Sequence, residues 1–407
     1  MTSLVANSVL EEIVGTIEIT LSDYETASKR YKDVAAWFAR PVATCARFSP
    51  HIYPQGSFRL GTVVRPITSA GEYDLDLGCR LEFGITKQTH TQKQLKQLVG
   101  ADLEGYRAAR GIKDSLEPMH RCWRLKYADT LTFHMDTVPS IPESVTRRGL
   151  IREAIEKSGV ASAFAKNIAD LTGSITDDRL PNYGFVSEDW RISNSEGYAR
   201  WFEGRMKLAS SLLNERAALA KVAQVYALPA YQWKSPLQAC VQILKRHRDL
   251  MFAANPDAKP ISVIITTLAA QAYRGQTVIA DALDRILATM GSLVRPTVPR
   301  VPNPVNPAED FADKWGDAKY MHLGLEENFW RWLEKAKADF QAIADERQVN
   351  VMVEKARTAF RADIDARKLA AKLGATAGAS LLGAAVEPSG LGFPAKPLIP
   401  SKPGGFA

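Results

Sequence analysis

Apolar and polar positions alternate most clearly from Tyr73 to Leu77, where Tyr73, Leu75 and Leu77 flank Asp74 and Asp76. Alternate side chains of a strand share a face, so this run predicts a strand carrying both carboxylates on one side, about 6.6 Å apart along the chain. Two further alternating runs, Trp123 to Tyr127 and Thr130 to Ser140, are separated by Ala128 and Asp129 and predict a hairpin. Asp136 falls near the end of the second run, with Pro139 expected to terminate it. Elsewhere the period is helical. Residues 1–40 read as two helices, the second opened by Ser22 with Glu25 three places on, with Tyr24, Tyr31, Val34, Ala35 and Phe38 on one face and Pro41 beyond its end. Residues 86–120 are polar, with weak periodicity at Leu95, Leu98, Leu103 and Tyr106, and read as an excursion between strands. A short amphipathic helix is predicted around Leu150 to Phe164, and Trp190, Tyr198, Trp201 and Phe202 read as core aromatics. From Met206 to about Ala366 the pattern is again helical, at Leu237, Val241, Leu244 and Leu268, with Pro236 early in one helix and Pro260 just before another. A Pro-rich turn, Asn303 to Pro307, interrupts it, and beyond about Arg367 the Ala-, Gly-, Pro- and Ser-rich chain reads as a mobile tail.

The chemistry concentrates between Gln55 and Leu81. Gly56 and Ser57 form a turn of the kind that cradles phosphate on backbone N–H groups, and the Asp74 and Asp76 pair follows on a strand. Two carboxylates side by side repel unless protonated or neutralised, and hard oxygen ligands suit magnesium or manganese. A solvated strand edge is the bland alternative for such a pair, and the upstream turn weighs against it. Asp136 is the third carboxylate, since it sits at the end of a neighbouring strand, and Asp129 is its competitor, read as an ordinary turn residue. His134 shares the face of Asp136 and is given no role. Arg59, inside the turn, reads equally as a phosphate contact or a solvated loop residue.

Composition narrows the partners. The 407 residues are 46% hydrophobic, enough for a sizeable core and two or three domains or one large two-lobed unit, and no apolar run approaches a membrane span. The N-terminus lacks a basic region ahead of an apolar segment, so a cytoplasmic protein is expected. Cys45, Cys79, Cys122 and Cys240 are scattered without pairing and are expected to be reduced. An excess of 52 Lys and Arg over 45 Asp and Glu suits polyanions of nucleotide size without demanding a nucleic-acid duplex.

The motif G-S-F-R-L-G-T followed by E-Y-D-L-D-L resembles the active-site signature of the polymerase-β-like nucleotidyltransferases, above all the bacterial cGAS/DncV-like nucleotidyltransferases (CD-NTases) of CBASS anti-phage defence. The likeness continues through Trp190 to Phe202, Leu237 to Asp249 and Asn303 to Trp315. It implies an α+β fold: N-terminal bracing helices over 1–40, a nucleotidyltransferase core with a mixed sheet over 41–205, a helical lobe clamping nucleotide over 206–366, and a tail over 367–407. It implies synthesis of a cyclic di- or trinucleotide from ATP, GTP or other nucleoside triphosphates, with two Mg2+ or Mn2+ ions on Asp74, Asp76 and Asp136. Gly56 and Ser57 would lie under the triphosphate, and Lys245 and Ser262 match positions where relatives hold it. Against these roles, Lys245, Arg246 and Arg248 also read as a solvated basic face, and Ser262 as a plain helix cap. The resemblance further implies an effector that reads the product, no membrane, no long nucleic acid, and conjugation of Ala407 by a ubiquitin-transfer-like enzyme. Rival readings are a nucleotidyltransferase modifying RNA or protein, and a catalytically silent nucleotide-sensing scaffold.

Overall fold

The computed structural model describes residues 2–68, 71–127, 133–213, 234–367 and 369. Strand β2 (Tyr73–Leu81) alternates as its sequence predicts: Tyr73, Leu75 and Leu77 are buried, Asp74 is exposed and Asp76 half-buried. On one side it pairs antiparallel with β1 (Pro50–Pro54), which places the Tyr53 ring over Gly78, where a Cβ would lie 2.2 Å from the ring. On the other side it pairs parallel with β5 (Phe133–Pro142), with Asp74 opposite His134 and Asp76 opposite Asp136. β4 (Trp123–Tyr127) completes the expected hairpin with β5, Arg124 opposite Asp136, and β3 (Glu117–Pro118) adds the outer edge. β6 (Gly173–Ile175) and β7 (Arg191–Ser193) extend the sheet from the far end of β5. One parallel pair among antiparallel neighbours makes the sheet mixed.

Pro139 does not end β5, contrary to expectation. β4 has already stopped opposite Thr137 and β6 begins opposite Ser140, so Pro139 stands in the gap between them, where its missing N–H deprives neither strand of a bond. A parallel pair also needs a crossover, and residues 86–120 supply one. They are no loose excursion: α4 (Gln92–Ala109) opens on a capping box of Thr91 and Gln94 and buries Leu95, Val99, Leu103 and Tyr106 against the sheet.

Helices α1 (Thr2–Ile17) and α2 (Leu21–Phe38) divide between two apolar clusters. α2 packs Tyr31, Val34 and Phe38 with the sheet, whereas α1 packs Val9, Leu10, Ile13 and Ile17 with the helical lobe. Thr20, and not Ser22, caps α2, because the Thr20 hydroxyl accepts from the Asp23 N–H while Ser22 already lies in the first turn. The predicted helix at 150–164 is two, α5 (Val145–Lys157) and α6 (Ser162–Ala169). These, with α7 (Ser195–Leu213), contribute Ile151, Ile155, Ile168, Trp201 and Phe202 to the helical cluster, so the apolar packing does not follow the chain boundary expected at 205/206. The short α3 (Gly56–Leu60) follows β1 directly.

The helical lobe is built on α8 (Pro236–Met251), α9 (Ser262–Ala272), α10 (Ile279–Thr289), α11 (Leu325–Ala344) and α12 (Val349–Phe360), with a hairpin of β8 (Pro302–Asn303) and β9 (Asn306–Asp310) between α10 and α11. α8 is capped by Ser235 and Gln238 and is buried from Leu237 to Arg248. Its polar residues are not a solvated face. They bind the chain that follows α3: Gln238 Nε2 donates to the Leu60 carbonyl at 2.8 Å, Gln242 Nε2 to Val63 at 2.7 Å, Lys245 Nζ to Thr62 at 2.9 Å and Arg246 Nη2 to Arg65 at 2.6 Å. The strap from Leu60 to Arg65 is thereby stitched to one helix of the other lobe. The four cysteines are free thiols, and among the described residues no helix is long and apolar enough to cross a membrane.

Candidate active site

Where the two lobes face each other they enclose a cleft of about 920 Å³. Gly56, Ser57, Asp74 and Asp76 line it from the sheet side, and Lys245, Arg248, Ser262, Asn303 and Glu309 from the helical side. Gly56 takes φ +58°, and a Cβ there would lie 2.0 Å from Asp76 Oδ2, so the turn rests its bare backbone on the carboxylate.

Burial pushes Asp76 up to about 7, and the neighbouring charges of Asp74 and Asp136 add to the shift. Burial acts the same way on Asp74, but a hydrogen bond from His134 Nε2 and the charges of His134, Arg124 and Lys245 outweigh it and hold Asp74 below its usual value. His134 is in turn steadied by Glu72, with Nδ1 2.9 Å from Oε2. Asp136 accepts two bonds from Arg124, Nε to Oδ1 and Nη2 to Oδ2, both 2.7 Å. A half-buried carboxylate whose proton affinity is raised by two others is a site short of positive charge, and all the donors are hard oxygens, so Asp74 and Asp76 fit a divalent cation. With Asp136 turned to Arg124, no three His, Cys, Asp or Glu side chains among the described residues close into a ligand set.

Residues 50–139 match the nucleotidyltransferase domain of the cyclic GMP-AMP synthase DncV-like family. That span holds the turn and all three carboxylates. Residues 50–139 thus form a DncV-like nucleotidyltransferase domain. It is similar to a c-di-GMP synthase of Roseivirga ehrenbergii, 28% identical over 337 residues that cover 80% of this chain and 79% of the relative. It is also similar to the cyclic dinucleotide synthase CdnG of Bradyrhizobium diazoefficiens, 27% identical over 323 residues, 77% of this chain and 71% of the relative. The structure of CdnG in complex with GTP shares the fold, with a TM-score of 0.61 at 22% identity over 88% of this chain and 98% of that chain.

Around one cleft the structure gathers Gly56, Ser57, Asp74, Asp76, Lys245 and Ser262, with Asp136 directly across the ladder from Asp76. Two of these differ from expectation. Lys245 is only 8% exposed, not a surface cation, because its ammonium is folded inward onto the Thr62 carbonyl. Burial, then the charge of Arg248, lowers its pKa to about 8. Ser262 does not cap α9: Ile261 holds the cap position, and the Ser262 hydroxyl accepts from Arg248 Nη1 at 2.9 Å, which leaves its own proton to donate. Arg59 is neither solvated nor free, being paired with Glu203 of α7. Asp129 and Ala407 lie outside the described residues.

Sequence reasoning puts His134 on the carboxylate face by its period-two relation to Asp136 but gives it no role, and it passes over Arg124 and the two α8 glutamines. The glutamines were detectable, with Lys245, as a polar stripe at spacings of four and three among the apolar positions of α8. Arg124 carried no signal, because the register of β4 on β5 had to be known first.

Proposed function

We propose that this protein joins nucleoside triphosphates, GTP and ATP being the substrate class, into a cyclic dinucleotide that acts as a signal in bacterial anti-phage defence. The observation that carries the reading is the cleft itself: a phosphate turn and adjacent carboxylates from the sheet face buried Lys245 and Arg248 and half-buried Ser262 from the helical lobe. The names of the relatives, a c-di-GMP synthase and a cyclic dinucleotide synthase, support the product class.

The roles follow from chemistry. Ser57 and the Gly56 backbone would hold the triphosphate from below, while Lys245 and the Ser262 hydroxyl, backed by Arg248, would grip it from the opposite lobe. Magnesium or manganese held by Asp74, Asp76 and Asp136 would supply the positive charge that phosphoryl chemistry requires. The acceptor ribose hydroxyl loses its proton as its oxygen bonds to the α-phosphorus, and pyrophosphate leaves. A second round on the linear intermediate closes the ring. The strap links the two phosphate-holding groups, because Thr62 donates its N–H to the Ser57 carbonyl at 2.9 Å and accepts Lys245 Nζ on its own carbonyl. Conjugation at Ala407 rests on the resemblance alone and has no part in this chemistry.

The test is incubation of the purified chain with all four triphosphates and Mg2+, followed by mass spectrometry after phosphatase treatment. A phosphatase-resistant cyclic dinucleotide is expected, and none from the Asp74→Asn, Asp76→Asn double variant. Pyrophosphate release without a small cyclic product would overturn the reading.

A further inference from the structure

The cleft continues past the carboxylates to a polar pair that the proposed chemistry leaves unused. Asn303 and Glu309 face each other across the β8–β9 hairpin, and Asn303 Nδ2 donates to Glu309 Oε2 at 2.7 Å. Asn303 is 5% exposed and its orientation is fixed, because its Oδ1 accepts the Val305 N–H at 3.0 Å and so directs the amide nitrogen to Glu309. Glu309 itself is open to the cleft. Desolvation by the cleft walls around it raises its pKa against the hydrogen bonds of Asn303 and Asn306 and the charge of Arg121, with Asp313 adding to the rise. A carboxylate here is out of place for phosphate, which it repels. Its natural complement is a neutral group rich in N–H donors.

The surroundings are those of a base slot. Phe311, two residues on from Glu309, also lines the cleft and meets the Tyr198 ring edge-on at 6.0 Å and 76°, which offers an apolar surface to the face of a ring. An ionised carboxylate only accepts hydrogen bonds. Guanine presents two adjacent donors, N1–H and the 2-amino group, spaced for its two oxygens. Adenine and cytosine put a bare ring nitrogen beside their single amino group, and uracil flanks one N–H with two carbonyls. We propose that Glu309, oriented by Asn303, selects a guanine base in the cleft by accepting N1–H and the 2-amino N–H of a guanosine triphosphate. The inference rests on the reading of this cleft as the nucleotide site.

Equilibrium binding to the full chain, with Ca2+ in place of Mg2+ to prevent turnover, tests it without requiring any product. The wild type is expected to bind GTP at least about tenfold more tightly than ATP, with inosine triphosphate, which lacks the 2-amino group, between them. Glu309→Gln is expected to bring GTP and ATP within about threefold of each other, since an amide presents a donor where guanine also has one. Equal affinity of the wild type for GTP and ATP, equal affinity for GTP and inosine triphosphate, or an unchanged GTP preference in Glu309→Gln would each overturn the assignment. Should Glu309→Gln fail to fold, the comparison of GTP with inosine triphosphate on the wild type decides. Selective GTP binding by a protein that makes no cyclic dinucleotide would sink the proposed function and leave this inference standing.

Discussion

Arg124 holds Asp136 by both oxygens, Nε and Nη2 each 2.7 Å from one of them, directly across the ladder from Asp76. The same carboxylate thus stands between a guanidinium on β4 and two carboxylates on β2. Its hydrogen bonds with Asp136 raise the Arg124 pKa above its already high value, so the guanidinium stays charged at any working pH. Any cation that recruits Asp136 competes with a bidentate partner.

Replacing Arg124 with Gln should therefore loosen the competition. The half-saturating Mg2+ concentration for product formation is expected to fall by about threefold to tenfold, the scale of a partly exposed ion pair worth roughly 1 kcal/mol. Asp136→Asn should abolish turnover in either background. A Mg2+ titration of Arg124→Gln that superimposes on the wild type would show that Arg124 and the metal do not share the carboxylate.

Gly56 permits little change. Its φ of +58° costs a residue with a side chain about 1–2 kcal/mol, and the new methyl would press into Asp76 at 2.0 Å from Oδ2. Gly56→Ala should lower the melting temperature and, by moving Asp76 by a substantial fraction of an ångström, cut turnover by about a hundredfold. Normal turnover in a folded Gly56→Ala variant would show that the turn and the carboxylate are independent.

The carboxylate half of the site was legible because strands write their faces into the sequence. A period of two put Asp74 and Asp76 together, and the hairpin pattern put Asp136 on a further strand; the structure adds that β2 and β5 run parallel and in step, and that Arg124 holds Asp136. The helical half was legible in position but not in environment. Lys245, Arg246 and Arg248 look like a wet face because charged residues usually are one, and nothing local tells that backbone carbonyls of a strap some 180 residues earlier will satisfy the first two, or that Pro260 and Ser262 will take Arg248. Pro139 misled for a related reason: whether a proline breaks a strand depends on which neighbours lie beside it, and that is tertiary information. The caps fared similarly, since Ser22 and Ser262 were each one residue or more inside the helix they were expected to cap.

Lys245 yields a prediction whose sign can be worked out. Its pKa in the folded protein is about 8 against 10.5 for a free lysine, lowered first by burial and then by Arg248. The neutral form is favoured by folding, so the ammonium costs stability in full below pH 8, and that cost fades as the pH rises from 8 towards 10.5. A bound triphosphate reverses the balance by placing negative charge beside the amine, which restores its proton. Nucleotide binding should therefore take up a proton above pH 8 and little below pH 7, and affinity should fall with rising pH by at most about tenfold per unit. Calorimetry at pH 7 and pH 9 in buffers of different ionisation enthalpy measures the uptake directly. Lys245→Met should bind nucleotide more weakly, with no proton uptake at pH 9, and should be no less stable than the wild type at pH 7, because it removes a buried charge while keeping much of the stem's packing. If the wild type takes up no proton at pH 9, the neutral amine remains on the Thr62 carbonyl when nucleotide is bound, and the grip on the triphosphate from the helical lobe falls to Ser262 and Arg248 alone.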